Sequence, residues 1–513
     1  MKKRILSMLI LAAMLLCSCS DTTDSEETTG ADSSTAVAGA EAEEAAETEP
    51  ETEVDVKDKV PEISFDKEMN LLLPDVNWQT RNIIAEELNG ERLNDAQYNM
   101  KVAMEERFNT TLAEHFTGDI WSSNYVSNLV TADDDSFDIC YALDLYAADY
   151  IVNDIALPYT DIEHIDLTRI YWDQSLQKCM TVNNTPYFAF GAYELSYYDF
   201  THVLAFSKNL IADHNLEDPY ELVKNGDWTV DKMFEMAQTT TFDMDGDGVM
   251  TRADSWGYFS EPKQVLPNFW ISAGELTIAK DEQDLPYLNI TGNDRFFSIF
   301  DRMYNIMWDG GIWCPDQAGI DFWSETANMF GSSRVLFIDE IFFRMRELQD
   351  VETDFGIIPY PKFDEQQADY YSRVEAGCKI AIVPVTNKNP QFAGALLEAM
   401  SSYGYSNVIP EFYEIALKRR TSRDAESSAM LDMIFETRRY DLGDTWWCNA
   451  LRDGVFKTMF ADNNRDLASA LQSSEKLINK QLERAIQGFM EESFPYKQKS
   501  RIFLSGFFCK AVH

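Results

Sequence analysis

Three aspartates alternate in Asp243-Met244-Asp245-Gly246-Asp247, and Gly248 follows them. A hard dication takes several oxygens at short range, and alternate side chains of a tightly turning loop converge on one point. The pattern D-x-D-x-D-G opens an EF-hand-type calcium loop, its glycine permitting the turn. Counted from Asp243, Val249 stands at the seventh position, which donates a backbone carbonyl, and Asp254 at the twelfth. An EF-hand carries a bidentate Glu at the twelfth position, and an aspartate there has a shorter reach. One loop without a paired second loop reads as a structural staple, so calcium is the expected cofactor. The competing reading is a solvated acidic turn, because Asp-Gly pairs make turns by themselves.

Other reactive constellations are thin. The histidines are His115, His164, His202, His214 and His513, and their spacing fits no metal site. No HExxH, Ser/His/Asp order or Cys/His pair stands out. Cys140, Cys179, Cys314, Cys378, Cys448 and Cys509 match no metal or redox motif. Cys140 and Cys378 lie in or beside apolar strand-like runs and are expected to be buried thiols. No catalytic residue is expected. A glycan hydrolase needs only a paired acid and base, so a secreted glycan-active enzyme stays open as an alternative. So does a glycan- or peptide-binding or sensor-coupled protein that does not serve transport.

The formal charge of −44 argues against nucleic acid and against an electrostatically held membrane face. It suits a partner that is neutral or cationic. Eleven Trp is a high count, and aromatic faces stack on sugar rings, although most Trp belong to cores.

The chain starts Met1-Lys2-Lys3-Arg4 and continues with an apolar run to Leu16 that is too short to span a bilayer. This is expected to be a secretory signal, residues 1–19. Its end, Leu16-Cys17-Ser18-Cys19, resembles the bacterial lipobox, with small Ser18 before Cys19. Lipidation is expected at Cys19, placing the protein on the extracellular face of the cytoplasmic membrane. Residues 20–60 are Asp, Glu, Ser, Thr, Ala and Gly with little to bury, so a disordered acidic tether is expected.

The body alternates strands and helices. Strands are expected at Glu68–Leu73, Thr111–Phe116 and Ser136–Ala142, with helices at Asp95–Phe108 and Trp121–Thr131 between them. The first helix is expected to bury Tyr98, Val102, Met104 and Phe108. This βαβαβ order implies a parallel sheet with helical cover. Further strands are expected at Tyr187–Phe190, Val203–Phe206, Val335–Ile338, Phe355–Ile358 and Lys379–Val383, and a long helix at Leu467–Phe489.

Several segments together resemble the extracellular solute-binding lipoproteins of carbohydrate ABC importers, the maltose-binding-protein-like family 1. They are Ser136-Phe137-Asp138-Ile139 followed by Ile155-Ala156-Leu157-Pro158-Tyr159, Thr185–Phe190, Val203–Leu210, Gly226-Asp227-Trp228-Thr229, Arg334–Phe337 and Asp354–Lys362. Relatives of this kind often carry a calcium loop just after the segment that matches Trp228-Thr229, where Asp243–Asp254 falls. Ser207 stands where the family usually has Asn and Phe206 where Tyr is commoner, so the ligand's identity does not carry over.

The resemblance implies an α/β, two-lobe periplasmic-binding-protein-like (type II) fold with a hinge and an interlobe ligand cleft. The expected limits are 61–495 for the two-lobe domain and 496–513 for a tail of unknown role. Lobe 1 would hold about 65–180 and 326–385, lobe 2 about 181–325 and 386–495. It further implies a monomer that captures a carbohydrate, an oligosaccharide in the first place, and delivers it to ABC transporter permease subunits without chemistry. Ligands of open α/β sheets sit outside the carboxyl ends of strands. By that rule the ligand-binding candidates are Trp78, Trp121 and Asp144 from the first lobe and Tyr193, Glu194 and Phe206 from the second. Trp446 and Trp447 are added from the late helices. Aromatic faces would stack on a pyranose and carboxylates accept its hydroxyl hydrogen bonds.

Overall fold

The computed structural model describes residues 56–351, 353–418 and 425–490. The leader with Cys19, the tether up to residue 55 and the tail from 491 lie outside the described residues. The folded domain starts ahead of residue 61: Asp58 pairs with Arg107 at 2.6 Å and Val60 is buried.

Twelve strands are described in chain order. They are β1 Glu68–Pro74, β2 Thr111–Thr117, β3 Ile139–Leu143, β4 His202–Ser207, β5 Trp256–Phe259, β6 Ile278–Lys280, β7 Pro286–Leu288, β8 Val335–Ile341, β9 Phe355–Ile358, β10 Ser372–Arg373, β11 Lys379–Ile382 and β12 Arg438–Arg439. Two four-stranded sheets carry the architecture. The first has the order β11-β3-β1-β2 and the second β5-β8-β4-β9. In the first, β1 runs parallel to β2 and to β3, and β11 closes the edge antiparallel. In the second, β5 and β8 are parallel, and β4 is antiparallel to both β8 and β9.

The sequence explains these positions. β3, Ile-Cys-Tyr-Ala-Leu, is buried at every residue, as a central strand covered on both faces requires. β2 is an edge and keeps polar residues such as Glu114 and His115. The intervening helix, Arg92–Phe108, buries Ala96, Met100, Met104 and Phe108. These repeat every four residues and form one stripe. The expected Tyr98 and Val102 sit two residues out of phase and are only half-buried. Asn109 ends the helix in the left-handed conformation, φ 45°, a common helix stop.

Three expectations are corrected. Tyr187–Phe190 is buried in part but joins no sheet, and the next residue, Gly191, makes only an isolated bridge to Trp172. The second helix starts at Asn124, so Trp121 lies on the loop before it. The assignment of 326–385 to the first lobe fails for β8 and β9, which pair with β4 in the second sheet. Only β11 returns to the first. Likewise the helices Pro390–Asn407 and Ile409–Lys418 pack on Arg92–Phe108 beside the first sheet. An apolar run reports burial on both faces without reporting which sheet it completes. Cys140 and Cys378 are buried thiols, as expected. Among the described residues no helix is long and apolar enough to cross a membrane.

The chain passes between the sheets at Asp199–His202, leading into β4, and at Arg373–Lys379, leading into β11. The two passages are bonded side by side. The Glu375 amide donates to the Phe200 carbonyl at 3.0 Å, and Thr201 bridges Val374. β12 lies alongside, with the Val374 amide donating to the Arg439 carbonyl at 3.0 Å.

Candidate ligand-binding site

The carboxyl ends of β1, β2 and β3 present one edge of the first sheet. The loop after β1 carries Trp78 and the loop after β2 carries Trp121. The two indoles stack, with ring centroids 5.5 Å apart and planes 21° from parallel. Beneath them Val76, Ile120 and Leu143 form a small apolar base, with Trp78 and Leu145 packed against it. Trp121 is 63% exposed, an unusual position for so large an apolar surface. The loop after β1 also carries exposed polar groups. Asp75 and Arg81 are paired at 2.9 Å, Arg81 lies 3.6 Å over the Phe116 ring, and Asn77 is exposed. Flat apolar rings beside carboxylate, amide and guanidinium groups match the two faces of a sugar, C–H on one side and hydroxyls at the rim.

The carboxyl edge of β5 and β8 belongs to the second sheet. Its groups are Ser260, Asp339 and the neighbouring Gln264 and Asn268 on the helix Pro262–Ser272. Asp339 Oδ1 accepts from Asn268 at 2.9 Å and from the Tyr360 hydroxyl at 2.6 Å, and Oδ2 accepts from Ser260 at 3.1 Å. Arg373 donates from Nε to Asp444 at 2.7 Å and from Nη1 to Gln264 at 2.6 Å. Arg452 donates to Glu375 at 3.0 Å. The rim of this cluster is partly open: Lys263 lies 3.4 Å from Glu261 and 3.9 Å from Glu375. Sequence reading missed these residues. Their signal was faint: an acidic Asp339-Glu340 pair ending an apolar strand, and Gln264 and Asn268 four apart on a helix otherwise buried and largely apolar.

Both edges meet on the run 440–456. Asp144, directly after β3, accepts from the Gly377 amide at 2.7 Å and from the Tyr440 hydroxyl at 2.5 Å. Burial pushes its carboxyl up to about 7, against the lowering effect of those two hydrogen bonds. Each oxygen has a partner inside the protein and the residue is fully buried, so Asp144 is corrected from ligand acceptor to internal tie.

The other candidates fall into the interior. Tyr193 is buried edge-on to Tyr141 and Trp172. Glu194 is buried, accepts from the Ser196 amide and hydroxyl, and lies 3.4 Å from Lys379. Phe206 is core: it sits edge-on to Tyr220 at 5.1 Å, and its ring passes so close to Gly356 that a Cβ there would lie 2.5 Å away. Trp446 and Trp447 are 4% and 7% exposed. Trp446 packs edge-on to Phe188, and its buried Nε1 has no hydrogen-bond partner among the described residues. The carboxyl-end rule selected Trp78 and Trp121 together with these interior residues, because it does not separate an edge residue from the core behind it.

The acidic loop forms a separate site. Asp243, Asp245 and Asp247 bring carboxylate oxygens within 4.8 Å of one another. Asp243 accepts from the Gly246 amide at 2.6 Å and the Gly248 amide at 2.7 Å. Gly246 and Gly248 have φ of 75° and 83°, a conformation open to glycine. Val249 is exposed, and its amide donates to Asp247 at 2.7 Å. Asp254 is turned to the amides of Met244 at 2.9 Å and Thr251 at 2.7 Å. It therefore closes the loop and is not among the converging oxygens. Three hard oxygen donors on one loop fit the chemistry of calcium.

By sequence, no protein-family model and no curated protein matches the chain. By structure it resembles two-lobe binding proteins. MalE, a sugar-binding protein of Xanthomonas citri, superposes with a TM-score of 0.58 at 12% identity, over 83% of this chain and 100% of that one. UspC of M. tuberculosis gives 0.56 at 14% identity, over 80% and 99%. A cyclo/maltodextrin-binding protein complexed with maltotetraose gives 0.53 at 12% identity, over 84% and 98%. The fold is the α/β two-lobe periplasmic-binding-protein fold.

Proposed function

We propose that this chain is a carbohydrate-binding solute-binding protein, which captures a neutral glycan between its lobes and hands it to an ABC importer without chemistry. One observation carries the reading: the Trp78–Trp121 stack at the carboxyl edge of the first sheet, whose outer ring, Trp121, is exposed. The fold shared with sugar-binding proteins supports it. In such a fold, contacts from both lobes shift the population toward a closed form, which the importer's permease subunits would read. The leader ending in Cys19 supports a lipid anchor on the outer face of the cytoplasmic membrane. Asp243, Asp245 and Asp247 would hold a structural calcium, with Asp254 fixing the loop. Calorimetric titration with a panel of oligosaccharides tests the binding, and chromatography of the recovered glycan tests the absence of turnover.

A further inference from the structure

The loop after β1, residues 75–84, belongs to no helix or strand, so its peptide groups need partners from elsewhere. Its two ends are held within the first sheet. The Asp75 amide donates to the Thr117 carbonyl at 2.9 Å. Glu114 on β2 accepts from the Ile83 and Ile84 amides at 2.7 and 2.9 Å and from Asn82 Nδ2 at 2.6 Å. The middle is held from the interlobe passages. Asp199 Oδ2 accepts from the Thr80 amide at 2.5 Å, and Lys379 Nζ donates to the Thr80 carbonyl at 2.6 Å and the Arg81 carbonyl at 3.1 Å. Gln79 Nε2 donates to the Gly377 carbonyl at 3.1 Å. Trp78 stands immediately before this gripped stretch.

Lys379 and Asp199 are each 1% exposed. An ammonium has three donors and no acceptor. Lys379 donates to two loop carbonyls, and its charge faces Glu194 at 3.4 Å. Glu194 is itself fixed by the Ser196 amide and hydroxyl. A buried charge is costly unless it is paired and hydrogen-bonded, and here the loop backbone supplies the acceptors. The grips take Thr80 from both sides: Asp199 holds the 79–80 peptide and Lys379 the 80–81 and 81–82 peptides. None of the three can turn without breaking a charge-assisted hydrogen bond, one of the stronger kinds. Two residues upstream, Trp78 packs on the base of Val76, Ile120 and Leu143, and Trp121 stacks on it. The outer ring therefore rests on a ring whose backbone is fixed from the passages.

We propose that Lys379 and Asp199 are positioning residues of the Trp78–Trp121 platform: they grip the backbone at Thr80 and Arg81 and so fix the ring on which Trp121 rests. The consequence for glycan binding rests on the sugar reading, but the test uses ligand-free protein, so either idea fails without the other. Stacked indoles give an exciton couplet in circular dichroism. Trp308–Trp313 and Trp446–Trp447 are also close pairs, so the signal of this pair is the part of the couplet that Trp121→Ala removes. Lys379→Met, which keeps an unbranched side chain without the ammonium, and Asp199→Ala should each lose most of that part while still melting cooperatively. Asp199→Asn keeps an oxygen that accepts from the Thr80 amide and should keep the couplet. A full couplet in folded Lys379→Met or Asp199→Ala overturns the proposal, and so does a loss in Asp199→Asn equal to that in Asp199→Ala. If Lys379→Met does not fold, the two Asp199 variants decide by the same outcomes.

Discussion

Trp78 and Trp121 come from loops after two different strands, yet their indoles stack 5.5 Å apart on one edge of the first sheet. Trp121 is the outer ring and Trp78 the half-buried one beneath it. Removing the outer ring takes away contact area for a ligand without opening the core. Trp121→Ala should therefore weaken glycan binding by about 1–3 kcal/mol, from aromatic contact and lost apolar area. Its melting temperature should stay that of the parent. Calorimetry and thermal melts of the variant check both, and an unchanged affinity would take Trp121 out of the site.

The two Trp were legible in sequence only as separate candidates, Trp78 after its strand and Trp121 ahead of a helix, because ligands of α/β sheets sit outside the strand ends; their stacking was not. The sequence made the first sheet legible because β1, β2 and β3 are local βαβ units. It did not reveal that β8 and β9 complete the second sheet, since their register with β4 is antiparallel and spans a long stretch of chain. Nor did it reveal the hinge cluster. His202, Asp339, Arg373, Glu375 and Asp444 are scattered along the chain, and only folding turns five unremarkable polar residues into one buried network. Tyr193 and Phe206 failed as candidates for a related reason: an aromatic near a strand end looks the same in sequence whether it faces solvent or the next helix.

The acidic loop predicts a calcium effect on stability. An ion that binds only the folded state stabilises it by about 2.7 kcal/mol at a hundredfold excess over its dissociation constant. Calcium should raise the melting temperature and chelator should lower it. Asp245→Ala should remove the difference, because Asp245 is one of the three converging carboxylates. Identical melting in calcium and in chelator would count against the site.

Buried carboxylates set the pH dependence of stability. Burial pushes Asp144 up to about 7 and Asp441 up to about 6. An unfolded aspartate titrates near ~3.9, so between these values the folded state binds more protons than the unfolded one. Stability is therefore present in full below about pH 4 for these groups and falls as pH rises toward 6 and 7, by about 1.4 kcal/mol per pH unit for each group titrating. Asp144→Asn keeps groups able to meet the Gly377 amide and the Tyr440 hydroxyl but does not ionise. Urea unfolding at pH 5 and pH 7 should show a smaller loss for this variant than for the parent. An equal loss would assign the slope to other groups.

The leader predicts where the protein resides. Cys19→Ala should move the protein from the membrane fraction to the medium and leave glycan affinity unchanged, which fractionation and calorimetry read separately. Retention of the variant in the membrane fraction would contradict an anchor at Cys19.

Reversible glycan capture by two lobes is decided by titrating the purified protein with an oligosaccharide panel, read by calorimetry. One site is expected, with a dissociation constant at or below roughly the micromolar level, equivalent to about −8 kcal/mol, and the glycan should be recovered intact. Saturable binding of peptides or another solute class, with no glycan bound, would contradict the sugar assignment, and cleavage of the glycan would contradict binding without chemistry.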